Sequence, residues 1–300
     1  MIRGGRLVAF PTETVYGLGA NALDAAAVAR IFEAKGRPAT SPLIVHVASI
    51  EQARELASEW PEVAEKLARR FWPGPLTLVV PKKACVPDNV TAGLGTVGLR
   101  MPSHPIALAL IRAAGVPIAA PSANRFTQLS PTTAAHVREA LGAAVELVLD
   151  GGPTEVGSES TVLEVTGGAA VLLRPGMITR EAIEELIGAV RQAGEAGPGS
   201  HPSPGMHRRH YSPKTPVVLV RGGEVPAAGR GVYIGFRHEA AIRETPFVPM
   251  PEGARAYASV LYETLHRLDR EGWDWIAIEH PGEEAEWVGI ADRLKRAAAR

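Results

Sequence analysis

A single cysteine, Cys85, stands in 300 residues. No intrachain disulfide can form, which fits a reducing compartment. A surplus of either charge is also missing. Lys plus Arg number 32 and Asp plus Glu number 32, so the formal net charge is zero. Such a chain has no global field to draw it onto nucleic acid or an anionic membrane. Any phosphate or RNA contact must come from a local cluster. No apolar run approaches the roughly 18 residues that a membrane span needs. Met1-Ile2-Arg3-Gly4-Gly5 lacks the apolar stretch of a signal peptide. Together these absences predict a cytoplasmic protein with no membrane partner. Asn89-Val90-Thr91 spells a glycosylation acceptor, which carries no weight without a secretory route.

Several catalytic signatures are absent as well. No G-x-x-x-x-G-K-[ST] occurs, which argues against a P-loop. No G-x-S-x-G marks a hydrolase nucleophile. Gly93-Leu94-Gly95-Thr96-Val97-Gly98 does spell G-x-G-x-x-G. No strong strand precedes it and no helix follows, so it reads as a glycine-rich turn or a loop that approaches a ligand closely. His46 ends an apolar strand and reads first as a structural residue. His201, His207 and His210 have no Cys or carboxylate at zinc-ligand spacing. No protein-held metal is expected.

What is present is an ordinary globular composition, 46% hydrophobic and 21% charged. The length allows one large domain or two ordinary ones. Residues 6–10, 43–47, 77–80, 118–120, 147–149, 161–165 and 171–173 read as strands. Helices are expected over 24–34, from Ser49, from Pro61, over 105–115, from Ser130 to Gly142, and from Thr179. Ser130 reads as an N-cap with Pro131 in the first turn. Residues 12–19 read as a loop. Alternating strands and helices imply an α/β sheet domain over 1–192. Residues 193–216 are too rich in Gly and Pro for a core and read as a linker. Strands at 217–220, 232–236 and 275–279 and helices at 254–268 and 290–299 then make a small α/β domain over 217–300.

Four cations fall in apparent loops or at element ends, where sites tend to be built. They are Lys35, Arg37, Arg100 and Arg174. Beside them lie Pro121-Ser122-Ala123-Asn124 and Gly157-Ser158-Glu159-Ser160-Thr161. Hydroxyls, amides and backbone N–H groups next to fixed cations suit a polyphosphate, which presents many acceptor oxygens. Each residue also has an ordinary reading. The helix dipole favours Lys35, turn chemistry favours Ser122 and Asn124, and capping accounts for Ser130. Spacing alone therefore yields an anion-binding α/β protein.

Read together, these segments resemble the YrdC-like family. Phe10-Pro11-Thr12-Glu13-Thr14-Val15-Tyr16-Gly17-Leu18-Gly19 is similar to its opening motif. Lys35-Gly36-Arg37-Pro38, Ser41-Pro42-Leu43-Ile44-Val45-His46-Val47, Phe71-Trp72-Pro73-Gly74-Pro75-Leu76-Thr77 and Gly98-Leu99-Arg100-Met101-Pro102 follow in order. Pro121–Asn124, Ser130-Pro131-Thr132, Ser158–Val162 and Leu173-Arg174-Pro175-Gly176 complete the set. The tail sorts the chain further. Pro204-Gly205-Met206-His207-Arg208-Arg209-His210-Tyr211-Ser212-Pro213-Lys214 looks like the linker of the long, two-domain threonylcarbamoyl-AMP synthases. Ala291-Asp292-Arg293-Leu294-Lys295-Arg296-Ala297 resembles the end of their second domain.

The resemblance implies a YrdC-like open twisted mixed sheet with helices, a linker lid and a small Rossmann-like α/β C-terminal domain. It implies that L-threonine, bicarbonate and ATP, assisted by Mg2+, give threonylcarbamoyl-AMP and pyrophosphate. The product would pass to a tRNA threonylcarbamoyltransferase, and a weak RNA contact is a further expectation. Arg37, Ser41, Thr96, Ser122, Ser130 and Arg174 would contact ATP. Lys35, Arg37, Ser122 and Asn124 would form the catalytic set at the phosphates. Thr14, His46, Arg100, Ala120 and Ser160 would hold threonine, with Arg100 facing its carboxylate. Tyr211 or Ser212 would close over the nucleotide. Gly17 and Gly19 are expected to serve backbone shape.

Two departures from the family pattern stand out. Position 41 is Ser where many members have Asn. The first predicted strand also begins almost at Met1, where the family often has a helix ahead of it, so N-terminal stability rather than chemistry is expected to differ. Two rival functions stand beside this reading. An RNA-binding module without ATP turnover is opposed by the zero net charge. A carbamoyl-phosphate-dependent hydrogenase-maturation factor would need a zinc site that one cysteine cannot supply.

Overall fold

A computed structural model describes residues 1–194, 210–237 and 244–299. His201, His207 and the linker motif up to Arg209 lie outside the described residues. After a 3-10 turn at Ile2–Gly4 come β1 (Val8–Phe10), β2 (Gly17–Asn21) and α1 (Ala25–Lys35). Asp24 caps α1 by accepting from Ala26 N and Ala27 N, and Gly36 ends it at φ 61°. That left-handed conformation is open to glycine without a Cβ penalty. Next are β3 (Ile44–His46), α2 (Ile50–Leu56), α3 (Glu62–Phe71), β4 (Leu76–Pro81), α4 (Asp88–Thr91) and β5 (Thr96–Arg100). They are followed by α5 (Pro105–Ala114), β6 (Ile118–Ala119), α6 (Ala134–Leu141), β7 (Leu147–Val148), β8 (Thr161–Glu164), β9 (Val171–Arg174), α7 (Arg180–Ile187) and β10 (Arg191–Gln192).

These strands form one mixed sheet in the order β10-β9-β8-β4-β5-β3-β6-β2-β1-β7. Its main core contains Leu7, Leu18, Val28, Ile31, Val45, Leu67, Leu78, Leu99, Val137 and Leu163. The remaining elements are β11 (Val217–Val220), β12 (Gly231–Gly235), β13 (Phe247–Pro249), α8 (Ala254–Arg270), β14 (Trp275–Glu279) and α9 (Val288–Ala297). They build a second sheet, β11-β14-β12-β13, in which every pairing is parallel. The mixed α/β sheet with a second, parallel α/β unit is the expected fold class.

Three local expectations are corrected. Residues 12–19 are not all loop, because Gly17–Asn21 pair antiparallel with both β1 and β6. The glycine-rich stretch is not only a turn. From Thr96 onward it is strand β5, central to the sheet and paired with β3 and β4. Its glycines masked the strand pattern, and Gly98 instead gives room beside Thr77 and Ile44. Ser130 does not cap α6. The cap is Thr133, whose side chain accepts from His136 N, and Ser130 is left buried for another purpose. Elements α4 and β13 carried no signal strong enough to be expected.

The two units share apolar and polar contacts. The second core, built on α8, α9 and the parallel sheet, takes in Val15, Leu129 and Tyr211. His136 of α6 stacks on His266 of α8 at 3.8 Å between ring centroids and 18° between planes.

Two predictions follow from this packing. A methyl at Gly19 would lie 2.7 Å from Phe10 Cε1 and 2.8 Å from Ile118 Cγ2. Gly19→Ala should therefore cost about 1–3 kcal/mol by overpacking, read as a lower denaturation midpoint. Burial pushes His136 and His266 down to about 4 from 6.5, against the pull of Glu263 and Glu139 and with Arg270 opposing protonation of His136. Folded, the pair binds fewer protons than unfolded between those values, so its contribution is full above pH 6.5 and is lost as pH falls towards 4. Thermal melts across that window should show the loss, and a His136→Gln/His266→Gln variant should show a shallower slope.

Candidate active site

The parallel register of β3 and β5 sets His46 opposite Arg100, at the ends of two neighbouring strands. The turn after β6 brings Ala120 alongside, with Ala120 N donating to Ile44 O at 2.9 Å. Ser160 precedes β8, Arg174 ends β9, Arg37 follows α1, and Thr14 lies between β1 and β2. All of these converge. Thr14, Arg37, His46, Arg100, Ala120, Ser122, Ser160, Arg174 and Tyr211 line one cleft, together with Thr12, Glu159 and His210. A site at the ends of sheet strands and in the loops beyond them is where an α/β fold ordinarily places one.

Three guanidinium groups face this space and each is fixed. Arg37 Nη2 donates to Ser41 Oγ at 2.6 Å and to Pro42 O at 3.0 Å. Arg174 Nη2 donates to Ser160 O at 2.9 Å and to Ser160 Oγ at 3.1 Å. Arg100 Nη2 lies 2.8 Å from Glu13 Oε1 in a buried ion pair. Burial lowers Arg37 to about 10, with Arg174 beside it adding to the effect. Burial, then Arg100, lowers His46 to about 3. His46 is thus a neutral ring, and its Nδ1 is without a hydrogen bond. Buried polar atoms without partners are uncommon in folded proteins. His46 Nδ1, beside the Arg100–Glu13 pair, marks this end of the cleft as a place where a ligand has an atom to meet.

Other expected residues lie behind the lining. Lys35 Nζ donates to Ser122 O at 2.5 Å and also to Asn124 O. Its pKa is pushed well below the usual lysine value by burial and then by Arg37. Asn124 Nδ2 donates to Arg125 O and Gln128 O, closing the same turn. Ser41 touches the cleft through Arg37. Thr96, at the far end of β5, lines a separate small cavity with Pro42, Thr77 and Gly98. Ser130 Oγ donates to Glu159 Oε1 at 2.5 Å. Ser212 N donates to Thr127 O, and Ser212 Oγ to Ala297 O.

Tyr211 stands at φ 59°, a strained backbone for a non-glycine residue of the kind found at ligand clamps. Three participants were missed by sequence reasoning. Glu13 and Glu159 sit inside quoted motifs, but a carboxylate draws no attention in a site argued for anions. Arg293 lies in α9 and donates to Glu159 Oε2 at 3.0 Å; only the tail motif pointed at it. Among the described residues no group of three or more His, Cys, Asp or Glu could hold a metal ion.

A large mixed sheet, a parallel second unit and a cleft ringed by buried guanidinium groups define an anion-binding α/β protein of the YrdC-like class. Comparison narrows this. Residues 1–176 match the family model Sua5_yciO_yrdC, described as telomere recombination. Residues 178–299 match the model of the threonylcarbamoyl-AMP synthase C-terminal domain. The threonylcarbamoyl-AMP synthase of Pyrococcus abyssi is 45% identical, covering 99% of this chain and 92% of that one. The synthase of Bacillus subtilis is 45% identical over 99% and 91% of the two chains. A crystal structure of P. abyssi Sua5 complexed with L-threonine superposes with a TM-score of 0.92, at 45% identity and the same coverage. Full-length HypF, at 23% identity and a TM-score of 0.51 over 58% of this chain and 27% of that one, shares the fold alone. The chain belongs to the threonylcarbamoyl-AMP synthase family, of the two-domain type.

The placement of Lys35 generates a test. Lys35→Met keeps an unbranched side chain, one atom shorter, and removes the donors to Ser122 O and Asn124 O. Each carbonyl left unsatisfied should cost about 1–3 kcal/mol, seen as a lower denaturation midpoint with an unchanged slope.

Proposed function

We propose that this chain makes threonylcarbamoyl-AMP from L-threonine, bicarbonate and ATP, releasing pyrophosphate. The observation that carries the proposal is the convergence of Arg37, Arg100 and Arg174 on one cleft, beside a neutral His46 whose Nδ1 makes no hydrogen bond. Its relatives across the whole length are synthases of this product.

The chemistry asks for placement more than for a nucleophile. The threonine nitrogen forms a bond to the bicarbonate carbon and water leaves, giving a carbamate. A carbamate oxygen then bonds to the α-phosphorus, and the bond from that phosphorus to the bridging oxygen breaks to release pyrophosphate. Both partners of the second step are anions, so fixed cations lower its barrier by positioning and charge neutralisation. Arg100 holds the threonine carboxylate, with Thr14, His46, Ala120 and Ser160 around it. Arg37, Ser122 and Arg174 hold the nucleotide phosphates, and Lys35 and Asn124 keep the Ser122 turn in shape. Ser41 and Ser130 act through Arg37 and Glu159, Thr96 stands apart in its own cavity, and Tyr211 with Ser212 closes the site.

Mg2+ enters with ATP as part of the substrate. The cleft carboxylates Glu13 and Glu159 are both engaged by arginines, and Mg2+ is ordinarily held by phosphates and water with few protein ligands. When bound it offsets phosphate charge. A covered cleft protects the mixed anhydride from water. Among the described residues no helix is long and apolar enough to cross a membrane. The cytoplasm is the proposed compartment and a tRNA threonylcarbamoyltransferase the proposed recipient.

Pyrophosphate release should require ATP, Mg2+, threonine and bicarbonate together, and release without threonine would overturn the reading. Arg100→Met should raise KM for threonine by roughly 10- to 100-fold, the worth of a charged hydrogen bond of about 1.5–3 kcal/mol, with KM for ATP changed far less.

A further inference from the structure

The cleft contains a paradox. Glu159 lines a site built for anions, and its carboxylate repels what Arg37 and Arg174 attract. The structure resolves the conflict from the other unit. Arg293 of α9 is 1% exposed. Its Nε donates to Glu159 Oε2 at 3.0 Å and its Nη2 to Glu159 O at 3.2 Å. Its Nη1 donates to Pro175 O at 2.5 Å, one residue beyond Arg174. The same guanidinium lies over the Tyr211 ring at 5.6 Å. Tyr262 of α8 donates to Glu159 Oε2 at 3.1 Å, and Ser130 donates to Oε1. Burial opposes charge on Arg293, yet Tyr211, Glu159 and Asp292 outweigh it and raise its pKa.

We propose that Arg293 is a positioning residue of the nucleotide site, supplied by the second domain. It neutralises Glu159 and fixes the two turns that carry Ser160 and Arg174. The proposal rests on the reading of this cleft as the ATP and threonine site. Two features argue that charge, and not packing alone, is at stake. A buried carboxylate left without its partner is strongly unfavourable. Here it would also stand beside the phosphates. The carboxylate is retained because it organises three hydroxyl and guanidinium donors at once, and the arginine removes its charge.

The test is a double-substitution cycle in the full chain, using R293M, E159Q and R293M/E159Q. KM for ATP and kcat are read from pyrophosphate release, and the Kd of ATP is read separately by equilibrium binding. Melting curves report the folded fraction. R293M should weaken ATP about tenfold or more, as expected for an uncompensated buried charge, with a smaller effect on kcat. E159Q alone leaves Arg293 buried without its carboxylate and should lower the melting midpoint. R293M/E159Q should recover to within about threefold of the parent, the non-additivity that marks a coupled pair. If R293M does not fold, recovery of both folding and ATP binding in the double variant carries the same meaning. A double variant as impaired as R293M would overturn the proposal and leave Arg293 a packing residue. A parent that releases no pyrophosphate would sink the synthase reading instead, while the ATP Kd values would still decide the role of Arg293.

Discussion

Burying positive charge is the constraint around which this molecule is organised. Arg37, Arg100 and Arg174 are each nine-tenths or more buried, and an isolated buried charge is expensive. The fold meets that expense with oxygen atoms from chain segments far apart in sequence. Ser41 and Pro42 serve Arg37, Ser160 serves Arg174, and Glu13 and the Gly74 carbonyl serve Arg100. Those acceptors are loop atoms, so the cations tie the loops together. The loops in turn hang from the ends of β3, β5, β8 and β9. Sheet register therefore becomes site geometry: a slip of one residue between β3 and β5 would turn His46 or Arg100 to the opposite face.

The second unit extends the same logic. It does more than cover the cleft, because α8 and α9 send Tyr262 and Arg293 to the carboxylate of Glu159. Val15 and Leu129, residues of the first unit, are buried in the second unit's core. Tyr211 joins that core, lines the cleft, and lies beneath Arg293. Folding of the second unit and shape of the site are thus coupled by contact.

How much of this was written in the sequence depends on the range of the interaction. Short-range signals were plain. Asp24, Ser49 and Thr179 accept from the N–H groups that helix capping leaves open, and Gly36 and Gly115 end helices in the left-handed region. Strand β5 was hidden because Gly93, Gly95 and Gly98 erase the apolar run, and only pairing with β3 and β4 defines it. Ser130 misled for the opposite reason. Ser-Pro is a good helix start on local grounds, but Glu159 captured its hydroxyl and the cap moved to Thr133. The cations were visible as a set only through the ordered motifs, since no local pattern brings Arg37 next to Arg174. Arg293 and Glu159 are 134 positions apart, and nothing local announces a pair at that distance.

The choice of cation at each position follows from what burial does to it. A guanidinium keeps its proton at neutral pH even when desolvated, and Arg37, lowered only to about 10, is still charged there. A lysine in the same surroundings loses its charge readily, and Lys35 is pushed well below its usual value. The three cations that face the cleft are arginines, so the charge that meets an anion survives burial. The lysine is turned away onto the Ser122 and Asn124 carbonyls. That task needs N–H donors, which the Lys35 amine supplies to both carbonyls. Exchanging Lys35 for arginine would force a larger, permanently charged group into the space behind the turn. Exchanging Arg37 for lysine would put a group that discharges on burial where the site needs a fixed cation.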